Sequence, residues 1–128
     1  LPMRGSELTD ATPIFLMTRL WHDEDAHVDP YWGPTVHWKE YLEKFVMLLN
    51  RAEDESFSQE GIYVSMSESL DDPSKWSAPT KIMDGGQWYP QVIGMEDGAG
   101  TDKFAGREAR FFVGGRSSYV IRFNRLER

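Results

Sequence analysis

A pattern that recurs at a fixed displacement limits the fold more than any other feature of this chain. Trp32-Gly33-Pro34-Thr35-Val36 returns 56 residues later as Trp88-Tyr89-Pro90-Gln91-Val92. Tyr63-Val64 returns at the same displacement as Tyr119-Val120. Between these anchors each copy carries an apolar run, Phe45-Val46-Met47-Leu48-Leu49 in the first and Phe111-Phe112-Val113 in the second. The runs themselves do not keep the displacement, because the second copy has a longer loop before its run and a shorter one after it. Loops absorb such length changes at little cost. Self-similarity at this scale marks a repeat architecture.

Each copy divides into short strand-like segments separated by Gly, Pro, Asp and Ser. The first predicts strands over 34–38, 44–50, 61–66 and 80–83, the last following a turn at 69–76. The second predicts strands over 90–93, 109–114 and 118–123 and then stops. Ahead of both, 13–20 is another strand-like run and 21–29 a polar connector, while 96–106 is Gly- and charge-rich and reads as a long exposed hairpin loop. One stretch pulls the other way. Trp38, Tyr41, Leu42, Phe45, Val46, Leu48 and Leu49 fall at helical spacing, with Lys39, Glu40, Glu43 and Lys44 opposite. The counterpart run Phe111-Phe112-Val113-Gly114-Gly115 is poor helix material, so the repeat favours strands in both copies.

Four-stranded antiparallel units of about 50 residues are the blades of β-propellers. The expected fold is all-β, with antiparallel four-stranded blades of a partial propeller. It forms one domain over 1–128: an N-terminal strand and connector over 1–30, a first blade over 31–84, and a second over 85–128 lacking its outer strand. The strand-like run at 13–20 is a candidate for that missing strand. A propeller takes at least four blades, so the others are expected from further copies in a homo-oligomer or from the remainder of a longer chain.

Residue content narrows the partners. A formal charge of −7 argues against a nucleic-acid backbone, which needs a basic surface. Seven Phe, five Tyr and five Trp on an acidic chain suit a neutral or sugar-like ligand, and equally an ordinary hydrated surface. No apolar run approaches the roughly 20 residues of a membrane span. No charged-then-apolar leader opens the chain, and a removed one leaves no trace, so cytoplasmic and secreted locations both stay open. Cysteine is absent, which removes disulfides and thiolate metal sites. Gly98-Ala99-Gly100 is not followed by a helix pattern and is no nucleotide fingerprint. No cofactor is expected.

Tyr31-Trp32-Gly33-Pro34-Thr35-Val36-His37-Trp38, followed by Phe45-Val46-Met47-Leu48-Leu49-Asn50-Arg51, resembles blades of the five-bladed glycoside hydrolase family 43 and its relatives. There an inner strand of the type W-(A/G)-P-x-V precedes an apolar strand ending in polar residues. Gly61-Ile62-Tyr63-Val64-Ser65-Met66-Ser67, with Trp76-Ser77-Ala78-Pro79, is similar to that family's third strand and the start of its fourth. Trp88-Tyr89-Pro90-Gln91-Val92-Ile93-Gly94 is similar to its next inner strand. The resemblance covers about residues 29 to 123 and implies carbohydrate binding or glycoside hydrolysis. In the family, a carboxylate base, a carboxylic acid and a third carboxylate tuning the acid are spread over different blades around the axis. Here the second unit begins Trp88-Tyr89-Pro90 with no Asp or Glu, so the triad is incomplete.

Two carboxylates are the catalytic candidates. Glu60 precedes the third strand and is either an acid facing a cleft or a hydrated strand-end group. Asp29 precedes the first inner strand and is either a base or a plain Asp-Pro turn starter. Trp32, Trp88 and Tyr89 start the inner strands and are candidates for stacking on sugar rings, or for packing between blades. His37 points away from its neighbours Val36 and Trp38, toward a ligand or into the core. His22 and His27 with Asp23, Glu24, Asp25 and Asp29 have the composition of a metal cluster without its fixed spacing, so no metal is assigned. Arg107, Arg110 and Arg116 surround the second apolar run, as carboxylate binders or as surface partners for the surplus acids.

Overall fold

A tight turn decides between helix and strand after Trp38. In the computed structural model, which describes residues 14–15, 30–54, 56–96 and 100–125, strand β1 is Tyr31–Lys39 and β2 is Lys44–Ala52. Between them the Leu42 amide donates to the Lys39 carbonyl (3.1 Å) and the Glu43 amide to the Glu40 carbonyl (3.3 Å), while Glu43 reverses the chain at φ 52°. Val46, Met47, Leu48 and Leu49 are then all buried, because β2 is covered on both faces. Such a strand reads as a continuous apolar run, which periodicity cannot tell from a buried helix.

Strand β3, Gln59–Ser67, and strand β4, Thr80–Asp84, complete an antiparallel meander. β2 pairs with both neighbours as the repeat requires, His37 facing Val46 on one side and Met66 facing it on the other. A short 3-10 turn at Pro73–Lys75, capped by the Asp72 carboxylate on the Ser74 amide (3.0 Å), brings Trp76 into the core. In the second copy β5 (Gln91–Gly94), β7 (Glu108–Val113) and β8 (Arg116–Arg122) form a three-stranded antiparallel sheet in the order β5-β7-β8. Among the described residues there is no α-helix and no fourth strand on this sheet. The chain is therefore all-β, built from two antiparallel, blade-type meanders.

The 96–106 segment is more than an exposed loop. Within it β6, Phe104–Ala105, joins the first sheet beside β1, running parallel to it, and gives that sheet the order β4-β3-β2-β1-β6. The Trp38 amide donates to the Lys103 carbonyl (2.7 Å) and the Glu40 amide to the Ala105 carbonyl (2.9 Å), so this loop closes the free edge of β1. Two residues leave no period to read, which is why no strand was expected there. The strand predicted over 13–20 lies outside the described residues except for Ile14 and Phe15. Those two form bends, and the Phe15 ring sits 5.6 Å from that of Tyr31.

Alternation along the strands divides the core into two layers. Leu48 and Ile62 from the first sheet pack with Val92, Ala109 and Phe111 from the second and with Ala105 of β6, so the sheets meet face to face. Met47, Leu49, Tyr63 and Trp76 form a separate layer on the first sheet's opposite face. The copies thus share strand order and direction without sharing burial. Val92 faces the first sheet and is 1% exposed, whereas its repeat mate Val36, in register with Met47, is 36% exposed.

Candidate ligand-binding site

The two copies of the W-x-P pattern meet at one end of the sheet pair. Trp32 pairs with Asn50 across β1 and β2, and a bulge between Trp32 and Thr35 puts Gly33 at φ 60°. A side chain at Gly33 would bring its Cβ within 2.9 Å of Asn50 Oδ1, so the position takes only glycine. The chain leaves β4 through Gly85 and Gly86 (φ 61° and 83°) and arrives at Gln87-Trp88-Tyr89 beside this bulge. Tyr89 holds the place in the second copy that Gly33 holds in the first, and its φ is 57°. A bulky residue in the left-handed region is an outlier that its surroundings must hold in place.

Asn50 is what holds it. This side chain is fully buried, and its Oδ1 accepts the Tyr89 amide (3.0 Å). Its Nδ2 donates to the Gln87 carbonyl (3.0 Å) and to Gln59 Oε1 (2.9 Å). Further ties come from the Gly114 amide to the Trp88 carbonyl (2.8 Å) and from Thr35 Oγ1 to the Pro90 carbonyl (2.6 Å). The inter-blade segment is thereby bonded to both sheets.

The result is an aromatic cluster open to solvent. The Trp32 ring meets those of Phe57, Trp88 and Tyr89 edge-to-face, with centroids 5.6, 5.8 and 5.8 Å away. Trp88 is 52% exposed and Tyr89 60%, large values for apolar rings on a folded surface. Trp32 lies beneath them, and its Nε1 is buried with no hydrogen-bond partner among the described residues. Three of the ligand candidates, Trp32, Trp88 and Tyr89, thus converge in space. Phe57, at φ 59° in the β2–β3 loop, and Asn50 were not singled out from the sequence. The repeat does align Tyr89 with Gly33, and a glycine at the aligned position is a readable sign of positive φ.

The other candidates lie elsewhere. His37 is 2% exposed, packed on the β1 face that turns to the second sheet. Burial, helped by the nearby Lys39 ammonium, pushes its pKa down to about 3, so the imidazole is neutral through the physiological range. Lys39 is itself fully buried over the Phe123 ring (4.1 Å), and desolvation lowers its pKa to about 8 despite the opposing pull of Glu96.

Glu60 sits at an irregularity where Arg51 pairs Gly61 and Ala52 pairs Gln59, which leaves Glu60 as the extra residue. Gln59 reaches Asn50, while Glu60 turns to the Tyr63 hydroxyl (2.6 Å) and the Lys81 ammonium (2.6 Å), itself paired with Asp84 (2.6 Å). Partial desolvation works to raise its pKa, but hydrogen bonds from Lys81 and Tyr63 and the charges of Lys81 and Arg51 outweigh it and hold the carboxyl below its usual range. An acid catalyst needs the opposite shift. Asp29 lies outside the described residues, as do His22, His27, Asp23, Glu24 and Asp25. Among the described residues no group of three or more His, Cys, Asp or Glu side chains is placed to hold a metal ion. Compared with protein-family models, curated proteins and solved structures, the chain matches none.

Proposed function

We propose that this chain binds carbohydrate through the aromatic cluster of Trp32, Phe57, Trp88 and Tyr89, as two blades of a propeller completed by other copies or by further chain. The observation that carries the reading is Tyr89, an exposed ring on a strained backbone that a buried asparagine pins beside an equally exposed tryptophan. Strain at an exposed residue has no benefit for packing and points to function. Flat aromatic faces stack on the apolar C–H faces of sugar rings, and nearby amides such as Gln59 and Gln87 offer the neutral donors and acceptors that sugar hydroxyls use. The blade motifs' resemblance to glycoside hydrolase family 43 agrees with a saccharide ligand.

Binding without turnover is the form of the proposal. Glycoside hydrolysis takes two carboxyl groups flanking the scissile bond, one of them protonated. Glu60 is held ionised by Lys81 and Tyr63, the opposite of what the acid partner requires. Calorimetry with a pentose oligosaccharide should give weak, saturable binding that Trp88→Ala and Tyr89→Ala abolish with the fold intact. Glu60→Gln should leave it nearly unchanged. Rapid hydrolysis lost in Glu60→Gln would overturn the non-catalytic reading.

A structural, ring-assembling role is the second reading, favoured by the second sheet's outer face. There Ile93 and Val120 are 41% and 49% exposed around Arg110, and no strand pairs with the outer edge of β8 among the described residues. Exposed apolar sheet and an open edge both favour association. Sedimentation equilibrium should show a species larger than one chain; a monodisperse monomer at tens of micromolar would contradict assembly.

A further inference from the structure

At the far end of β1 from the aromatic cluster, two arginines gather on one tyrosine without a direct ion pair among the described residues. Arg107, beside the start of β7, has its guanidinium carbon 5.5 Å from the Tyr41 ring centre, and Arg125, just beyond β8, has its own 4.6 Å from the same ring. Two cations stacked on one ring lie within about one Debye length of each other at 0.1 M salt, and like charges so placed repel. Both are fixed by neutral groups. Arg125 donates through Nε (3.1 Å) and Nη2 to the Tyr41 carbonyl, and Arg107 Nη2 donates to Asn124 Oδ1 (2.6 Å).

Two other cations of the chain are paired, Lys81 with Glu60 and Asp84 and Arg122 with Glu108. Neither Arg107 nor Arg125 has a carboxylate within ion-pair distance among the described residues. The nearby acids bond elsewhere while keeping their charge: Glu40 accepts the Trp38 indole N–H (2.8 Å), and Glu96 acts on the buried Lys39. Each guanidinium carries five N–H donors in a rigid fork, so most of the donors on both remain directed at solvent.

We infer that Arg107 and Arg125, gathered at the Tyr41 ring, form an oxyanion site, suited to a carboxylate or phosphate group. A guanidinium carries paired N–H donors that match the oxygens of a carboxylate or phosphate, which a single lysine does not offer, and two of them lie beside one ring here. The site is independent of the carbohydrate reading, since it shares no residue with the aromatic cluster. A carboxylate-bearing sugar and free phosphate carry the same recognisable chemistry, and the test separates them.

Backbone amide and arginine side-chain resonances would be followed by NMR while inorganic phosphate, glucuronate or, at matched ionic strength, chloride is added. Saturable shifts confined to Tyr41, Arg107, Asn124 and Arg125, with phosphate or glucuronate and not with chloride, are expected; the anion that saturates first identifies the source. Arg125→Gln and Arg107→Gln should each weaken binding about tenfold, the size of one charge-assisted hydrogen bond. Because Arg125→Gln also removes bonds to the Tyr41 carbonyl, Arg107→Lys serves as a second variant. It keeps the charge, loses the fork, and should weaken binding as well. Shifts that never saturate, that chloride reproduces, or that both glutamine variants retain would overturn the site.

Discussion

Replacing Asn50 by leucine should lower the stability of the chain by about 3 to 5 kcal/mol, read as a large fall in the urea midpoint. The side chain is fully buried and makes hydrogen bonds to Tyr89, Gln87 and Gln59. Leucine is of similar size, so the packing loss is small. What remains is the Tyr89 amide and the Gln87 carbonyl deprived of their partner, and each such group costs about 1–3 kcal/mol when it stays out of water. Asn50→Asp should cost at least as much near neutral pH, because it buries a carboxylate whose second oxygen faces Gln59 Oε1 and the Gln87 carbonyl without a donor. Released from Asn50, Tyr89 can also leave φ 57°, so saccharide binding should disappear in the leucine variant even where the fold survives. A loss of under about 1 kcal/mol would mean that Asn50 does not tie the two units together.

The second large effect is an acid sensitivity from His37. Its pKa is about 3 in the folded chain against 6.5 when unfolded, because burial and the Lys39 charge both disfavour the imidazolium. Below pH 6.5 the unfolded chain therefore takes up a proton that the folded chain refuses, and stability falls as pH drops from 6.5 toward 3. Each unit is worth about 1.4 kcal/mol. The loss by pH 4.5 should thus be roughly 2–3 kcal/mol. Glu60 and Asp72 also lose stabilisation in acid, since both carboxyls are held low, but theirs is lost only below their unfolded values of 4.5 and 3.8. Among the described groups with shifted titration, the interval from 6.5 to 4.5 belongs to His37. Urea unfolding across it should show a slope of about one proton in the native protein and nearly none in His37→Gln. Parallel profiles would show that His37 reaches water.

How far the molecule was readable from residues can be followed in a few of them. The repeat located the meanders, since like anchors at one displacement require like strands between them, and β2 proved a strand despite its helical spacing. That spacing misled because Tyr41 and Leu42 belong to a turn while Val46 to Leu49 are buried on both faces. β6 was hidden because two residues carry no period, and its partner β1 is distant in sequence. Trp32, Trp88 and Tyr89 were legible as a group because the repeat put them at equivalent places. Asn50 was not, for a polar residue at the end of an apolar strand looks like the strand's hydrated tip until the chain of the second unit is laid against it. The ion pair of Glu60 was equally hidden, since Lys81 lies 21 residues away and meets it only once β3 and β4 pair.

The proposed carbohydrate site is tested most directly by the indole N–H resonances of the tryptophans during titration with a pentose oligosaccharide. Trp32 and Trp88 belong to the aromatic cluster, while Trp38 and Trp76 lie away from it and serve as internal controls. Binding at the cluster shifts Trp32 and Trp88 along one saturating curve, leaves Trp38 and Trp76 in place, and vanishes in Tyr89→Gly, which keeps the backbone conformation and removes the ring. No shift up to millimolar ligand, or shifts in Trp38 and Trp76 equal to those of Trp32 and Trp88, would make Trp88 and Tyr89 surface packing and contradict a saccharide site.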